Sequence, residues 1–405
     1  SRQIIRRAIR RNPDAVVAVT GCYAQTAPAE ILAIPGVDLV IGTQDRDQLM
    51  THIRNIQRQR QPVNAVRNIM KTREFEEMDV PDFADRTRAF LKIQDGCNNF
   101  CTFCIIPWAR GLSRSRKPEN VLRQARQLVE AGYKEIVLTG IHTGGYGEDL
   151  ENYRLSDLLR DLDAIDGLER IRISSIEASQ IDDRMLEVLN RSRKMCRHLH
   201  IPLQAGDNDI LKRMRRKYTT EEYAEKIAYI REAMPEVAIT TDVIVGFPGE
   251  TDEQFENGYR FMEQIGFAEM HVFPYSKRSG TPAARMDGQV PEEVKHERVH
   301  RLIDLSERMQ AAYAARWVGR EVDVIPEREA KGREGQGLLS GYSDNYLQVV
   351  FDGDPSLIGS LCRVRITASG ADECRGERVG VLSPAAVRAS GCSEDGSLPR
   401  VRGAG

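Results

Sequence analysis

Across residues 88–286 six short apolar runs alternate with amphipathic helical stretches, and this alternation constrains the fold more than any other feature of the chain. The strand-like runs cover residues 89–93, 135–139, 170–174, 198–202, 239–245 and 269–274. Helical periodicity covers residues 119–131, 182–191, 221–234 and 253–265 between them. Strands separated by helices cannot pair as hairpins; they need crossover connections, which produce a parallel sheet. The expected class is therefore α/β, with six βα units curled into a partial or complete barrel and the chemistry at the strands' carboxyl ends.

The flanks read differently. An Arg-rich helical pattern opens the chain, with Ile4, Ile5, Ala8 and Ile9 on one face and no cap before them, so an N-terminal portion is expected to precede it. A strand is expected at 15–20, a turn at Gly21, a helix from Pro28, a strand at 37–41 and a helix to about Gln57. After a final helix at 291–317, period-2 runs such as EVDVIP, YLQVVF and LCRVRI lie between glycines and predict a small all-β barrel. The expected division is an N-terminal α/β remnant at 1–62, a linker at 63–87, a core at 88–317, the small barrel at 318–382 and a flexible tail at 383–405.

Composition excludes whole classes. With 41% hydrophobic and 29% charged residues the 405-residue chain is neither disordered nor fibrous. No run approaches the ~18–20 apolar residues of a membrane span, and the expected compartment is the cytoplasm. Eight cysteines are too few and too unevenly placed for a disulfide framework, which leaves metal or redox chemistry.

That chemistry has an address. At the end of the first barrel strand stand Cys97, Cys101 and Cys104, a C-x3-C-x2-C spacing. Three thiolates from one loop can hold three irons of a 4Fe-4S cube and leave the fourth iron open to a ligand. A structural zinc site would want a fourth protein ligand, and the nearest histidine, His142, is far along the chain. Cys22 follows the first N-terminal strand, where open α/β sheets place ligands; it reads equally well as a metal ligand or a small buried thiol.

The run CNNFCTFC in this position resembles the signature of radical S-adenosylmethionine (SAM) enzymes. GCYAQ at 21–25, IQDGCNNFCTFCIIPWARG at 93–111, LTGIHTGGYGED at 138–149, HIPLQAG at 200–206, TDVIVGFPGET at 241–251 and HVFPYSKRSGTPAARM at 271–286 resemble the methylthiotransferases. Within that family the arrangement is most similar to the enzymes that methylthiolate N6-threonylcarbamoyladenosine at position 37 of tRNA. The resemblance implies that Cys97, Cys101 and Cys104 hold a 4Fe-4S cluster that binds SAM and reduces it to a 5'-deoxyadenosyl radical. The radical takes the hydrogen from adenine C2, sulfur is inserted there, and a second SAM donates the methyl group. It also implies a second, auxiliary 4Fe-4S cluster, for which Cys22 matches one of three ligands and the other two are absent from this sequence. A single thiolate cannot replace three, so this chain is expected to cleave SAM without retaining a stable auxiliary cluster.

Implied partners are the tRNA anticodon stem-loop and a flavodoxin- or ferredoxin-type electron donor, with no membrane and a monomeric enzyme. The terminal β-barrel corresponds to the family's RNA-binding TRAM domain. Other readings are isopentenyladenosine in tRNA or a ribosomal-protein aspartate as substrate, or a non-enzymatic Fe–S RNA-binding protein.

Further residues follow as SAM contacts. Gly144 and Gly145 allow close backbone approach, or form a plain turn. Ser174 and Glu177 follow the third strand, within reach of the SAM amino group or ribose, or cap a helix. Gln204 ends the fourth strand with an amide suited to the ribose or carboxylate. Gly246, with Gly249, turns the chain over the barrel beside the adenine. Arg213 belongs to a basic run, Lys212 to Lys217, that suits a phosphate or the SAM carboxylate as well as solvent. His142, His198, His200 and His271 lie near strand ends and read first as structural. Net charge is only -2, and the small barrel is acidic on balance, so RNA contact there must be local, with Tyr342, Tyr346 and Phe351 available for stacking.

Overall fold

The structure is a computed structural model that describes residues 1–59, 61–78, 86–332, 335–370 and 372–385. Its N-terminal part runs α1 (Arg2–Arg11), β1 (Ala18–Val19), α2 (Cys22–Thr26), α3 (Pro28–Leu32), β2 (Leu39–Val40), α4 (Leu49–Gln59) and β3 (Val63–Asn64). The three strands form a parallel sheet in the order β1-β2-β3. Ile5 of α1 and Ile31 of α3 pack with Val37 and Val40 beneath it. β3 stands where a linker was expected: Val63 N–H donates to Asp38 O at 2.8 Å, and Ala65 N–H to Val40 O at 2.8 Å.

The central part contains β4 (Arg88–Lys92), β5 (Gln94–Asp95), α5 (Ile106–Arg110), β6 (Arg114–Ser115), α6 (Pro118–Glu130), β7 (Glu135–Thr139), α7 (Leu155–Asp163), β8 (Arg170–Ile173) and α8 (Asp183–Arg191). It continues with β9 (His198–His200), α9 (Asn208–Met214), α10 (Thr220–Ala233), β10 (Ala238–Val245), α11 (Asp252–Ile265) and β11 (Glu269–Pro274). β4-β7-β8 and β9-β10-β11 are parallel three-stranded sheets. A bridge between Ile171 and Met195, with Ile171 N–H donating to Lys194 O at 2.8 Å, joins them. Among the described residues no ladder joins β4 to β11, so the six expected strands form a partial barrel that is open on one side.

Period-2 alternation explains the division of faces. Ala89, Leu91, Ile136, Ile171, Ile239 and Val243 share one core with Leu128, Leu158, Ile227 and Met262 of the covering helices. The intervening strand positions turn inward, and there the chain carries Glu135, Arg172, His200 and Asp242. Helices begin where the sequence caps them: Thr219 and Glu222, then Thr251 and Gln254, form capping boxes at the starts of α10 and α11. The fourth strand ends at His200, two residues short of expectation, because the chain turns and rejoins β10 through one bridge, Gln204 to Val243.

After α12 (Glu292–Ala315) come β12 (Glu321–Glu329), β13 (Leu338–Ser343), β14 (Gln348–Asp352), β15 (Leu361–Ser369) and β16 (Cys374–Ser383). They close a five-stranded barrel in the order β12-β13-β14-β16-β15, filled by Val324, Leu339, Val349, Phe351, Val364 and Ile366. The last part of the expected tail, with Cys392, lies outside the described residues.

A buried charge network joins the small barrel to the amino-terminal end of the large one. Glu135 accepts from Arg172 Nε at 2.8 Å and Arg170 Nη1 at 3.4 Å. The same guanidiniums donate to the carbonyls of Tyr342 (3.1 Å), Ser343 (3.0 Å) and Asp344 (3.1 Å), and Arg170 also to that of Asp323. Burial would raise the Glu135 carboxyl, yet Arg172 and Arg170 hold it below the usual carboxylate range. Tyr346 stacks on His198 at 4.6 Å and on Tyr342 at 5.0 Å, with Arg172 over its ring at 4.9 Å.

These contacts correct one expectation. Tyr342 and Tyr346 are consumed by the interface, and Phe351 is 1% exposed inside the barrel, so none of the three offers a free ring to a base. Replacing Glu135 by Gln leaves two buried guanidiniums without their counter-charge; the expected cost is roughly 3–5 kcal/mol, read as a clear fall in thermal midpoint, and an unchanged midpoint would disprove the role of this network.

Candidate active site

The loop that carries the three cysteines is built on two buried polar residues. Gly96 has φ 76°, and a Cβ there would collide with the Leu112 carbonyl oxygen, so only glycine allows the chain to leave β5 in this direction. Gln94, fully buried, donates from Nε2 to the carbonyls of Asp95 (2.9 Å) and Gly96 (2.8 Å) and to Ser113 Oγ (2.9 Å). Its Oε1 accepts from the N–H groups of Ile141 (3.0 Å) and His142 (2.8 Å). One amide thus ties the cysteine loop to the loop leaving β7. Asp95 beside it accepts from Gly96 N–H at 2.9 Å and faces Lys92, Arg114 and Arg110 at 2.6, 3.4 and 3.6 Å.

Cys97, Cys101 and Cys104 are unpaired thiols and line one cavity of about 230 Å³, with Glu177, Gln204 and Arg216 also in its wall. Asn99 N–H donates to Cys97 Sγ at 3.4 Å, and Arg216 Nη1 to Cys101 Sγ at 3.5 Å. Burial pushes the Cys97 thiol up to about 11 and raises that of Cys104, so without a counter-charge both sulfurs keep their protons. The residues fit an iron–sulfur cluster: an all-sulfur donor set opens from one loop onto one cavity, and two of its sulfurs already face N–H donors.

Arg216 and Glu177 form an ion pair in the wall, with Arg216 Nε donating to Tyr218 Oη at 3.0 Å and its guanidinium 5.0 Å over the Tyr218 ring. A second cavity of about 270 Å³ shares Cys101, His142, Glu177 and Arg216 and adds Glu148 and Lys217. Gln204 stands at φ 70°, a left-handed conformation uncommon for a residue with a side chain, with its N–H on Asp242 O at 2.9 Å and its carbonyl accepting from Ile244 N–H at 2.8 Å.

The other expected contacts stand behind these walls. Gly144 and Gly145 form a turn in which a Cβ would collide with Gln180 Oε1 at the first position and lie 2.7 Å from His142 Nδ1 at the second. Ser174 Oγ is 3.3 Å from Thr143 Oγ1. Arg213 packs beneath Gly249 and accepts from Thr102 Oγ1 at its carbonyl (2.8 Å), so Arg216 is the member of the basic run that reaches the thiols. Gly246 has φ 69°, and its N–H donates to Glu250 Oε2 at 2.7 Å, which Arg298 Nη1 also meets at 2.6 Å. His142 Nε2 accepts from Gln180 at 2.9 Å, and burial lowers its pKa, leaving the ring neutral with its proton on a buried, unpartnered Nδ1. Cys22 opens α2, where Arg110 Nε donates to its Sγ at 3.3 Å; Thr43 Oγ1 donates to Ala109 O at 2.6 Å and holds this region against α5.

Sequence reasoning missed Gln94 and placed weight on Arg213 instead of Arg216. Nothing in a string marks an amide that will be buried, and a basic run does not say which of its members turns inward.

Comparison with known proteins agrees with this architecture. Residues 91–262 match the Radical SAM superfamily. The chain is 59% identical over 94% of its length, and 85% of the other's, to threonylcarbamoyladenosine tRNA methylthiotransferase MtaB of Bacillus subtilis. The chain belongs to the radical SAM methylthiotransferase family. Other members are 38% identical (tRNA-2-methylthio-N(6)-dimethylallyladenosine synthase of Desulfitobacterium hafniense, 91% and 83% of the two chains) and 39% identical (the MtaB enzyme of Aquifex aeolicus, 90% and 87%). A solved radical S-adenosylmethionine methyltransferase, TsrM of Kitasatospora setae, shares the fold at TM-score 0.53 and 18% identity over 70% of this chain and 59% of that one. Membership of a radical SAM methylthiotransferase family implies a 4Fe-4S cluster and SAM.

If Gln94 holds the cysteine loop in place, Gln94→Leu, of similar size but without hydrogen bonds, should weaken metal retention about 10–100-fold. Iron and acid-labile sulfide assays after reconstitution check this; full retention would refute the assignment.

Proposed function

We propose that this chain converts N6-threonylcarbamoyladenosine at position 37 of tRNA to its 2-methylthio derivative, replacing the hydrogen on adenine C2 by a sulfur that carries a methyl group. The observation that supports it most is the convergence of three free thiols and the Arg216–Glu177 pair on one cavity, in a chain so similar to the Bacillus subtilis enzyme. Cys97, Cys101 and Cys104 would hold the SAM-binding cluster. When bound, that cluster supplies the electron that cleaves the SAM sulfonium.

The chain's own residues bind, orient and exclude. Arg216 offers a fixed guanidinium for a carboxylate, and Glu177 an acceptor for an ammonium or ribose hydroxyl. Gln204, held beyond the end of β9 by two backbone hydrogen bonds to β10, presents an amide for the ribose. Neutral His142 adds no charge beside the thiols. Phe103, Ile106 and Ile176 give the cavity apolar surface, which keeps water from a reactive intermediate.

Gly144, Gly145, Ser174, Arg213 and Gly246 act one layer out, shaping the loops on which those contacts ride. Cys22 would offer one thiolate to an auxiliary cluster, whose full set takes three cysteines. The small β-barrel is read as the family's TRAM domain, contacting the anticodon stem-loop through Arg375 and Arg378, exposed on β16. The proposed domain boundaries follow the sequence division at 87 and 317, with the N-terminal unit extended through β3 to Ala65 and the small barrel through β16 to Ser383. A flavodoxin- or ferredoxin-type donor, the cytoplasm and a monomer complete the reading.

Anaerobic reconstitution and reduction should yield 5'-deoxyadenosine from SAM, and Cys101→Ala should abolish it. Nucleoside mass analysis of tRNA from cells lacking the gene should show the threonylcarbamoyl nucleoside without its methylthio derivative. A fully loaded, reduced enzyme that leaves SAM intact would identify the cluster as structural in an RNA-binding protein. Loss of methylthio-isopentenyladenosine instead would reassign the substrate.

A further inference from the structure

The barrel interior holds a second group of polar side chains that the thiol site does not use. His200 on β9, Asp242 on β10 and His271 on β11 stand on three neighbouring strands, with one nitrogen or oxygen from each within 4.8 Å of the others. The parallel register sets Thr240 opposite His200 and Asp242 opposite His271. All three side chains point into the barrel, because the alternate positions Ile239, Val243 and Met270 pack under the helices.

Two members are held and one is free. His200 Nδ1 lies 3.0 Å from Thr240 Oγ1, and its Nε2 lies 3.3 Å from Asp242 Oδ2. The His271 ring stacks on that of His200 at 5.6 Å, its side chain is 44% exposed, and its nearest carboxylate, Glu269, is 3.9 Å away, beyond hydrogen-bond reach. Asp242 also lines the thiol cavity, whereas His271 lines a cleft of about 420 Å³ that β10, β11 and α12 form with Tyr342, Tyr346 and Cys374 of the small barrel. The group is therefore the seam between the thiol cavity and the cleft against the small barrel, and half-exposed Phe273 lies two residues along β11 on the same face as His271.

We propose that this seam reads the substituent on the target adenine's N6, with His271 as the specificity-determining residue. The inference rests on the substrate reading given above and deepens it. A threonylcarbamoyl group presents urea N–H donors, a hydroxyl and a carboxylate. Asp242 accepts from an N–H, His271 donates to the carboxylate, and His200 is the positioning residue that orients Asp242. Phe273 supplies an apolar face for the purine. A hydrocarbon substituent would bury the His271 imidazole without a partner and leave the Asp242 carboxylate only its contact with His200, which is how a polar site rejects an apolar analogue.

His271→Phe keeps the ring and removes its N–H. With reconstituted enzyme and anticodon stem-loop RNAs carrying threonylcarbamoyl- or isopentenyladenosine, the variant should raise KM for the first about tenfold or more and lose discrimination by the same factor. Its RNA-independent SAM cleavage should stay at the wild-type rate. Binding measured by fluorescence anisotropy without reductant should weaken in parallel, and His271→Gln, which keeps an N–H donor, should recover part of it.

An unchanged KM and affinity in His271→Phe overturn the assignment while leaving the substrate reading intact. A wild-type enzyme that cleaves SAM but binds the threonylcarbamoyl RNA no better than unmodified RNA overturns the substrate reading, and this proposal with it. Stoichiometric zinc held by the Cys97→Ala, Cys101→Ala, Cys104→Ala variant and lost on adding Asp242→Asn would make the seam a metal site and also overturn the proposal.

Discussion

One buried amide, that of Gln94, sets the geometry on which the site depends. Its nitrogen end holds the carbonyls at the start of the cysteine loop, and its oxygen end holds the N–H groups of the loop after β7. In a low-dielectric interior each of these backbone groups would otherwise be buried without a partner, so the two loops and the amide stand or fall together. The thiols, the Thr143–Gly145 turn and the His142–Gln180 contact all hang from this joint.

The two ends of the partial barrel are finished in opposite ways. At the amino-terminal end, inward-facing Glu135, Arg170 and Arg172 satisfy one another and the carbonyls of the β13–β14 hairpin, which converts a costly set of buried charges into a domain junction. At the carboxyl end the inward-facing positions remain open, and the thiols, Arg216 and Gln204 surround a cavity there. The open flank beyond β11 leaves His271 and Phe273 reachable from outside. A closed barrel would admit SAM far more easily than it would admit a nucleotide still attached to its RNA.

Much of this was legible beforehand. All six strands appear within two residues of expectation, because β-branched and aliphatic runs bounded by glycine, proline and capping residues have few alternatives once helices separate them. The cysteine loop was legible for a similar reason: three ligands for one cluster must be close in sequence if one loop is to supply them. Tyr342 and Tyr346 were misread because an aromatic side chain looks alike whether it will meet a base or a neighbouring domain. Arg216 was overshadowed by Arg213 because the left-handed residue that ends α9, Arg215, redirects the chain immediately before it.

Local pattern alone therefore determined the six barrel strands, their parallel arrangement, four of the helices between them and the loop that carries the thiols, since those follow from periodicity, capping and ligand spacing within short stretches; α7, α9 and β3 emerged only in the structure. Only the tertiary structure decided which polar side chains meet. Gln94 finds Ile141 and His142, Arg216 finds Glu177 and Cys101, and His200, Asp242 and His271 align across three strands. Those encounters depend on strand register and barrel curvature, which bring together residues that no short window of sequence contains.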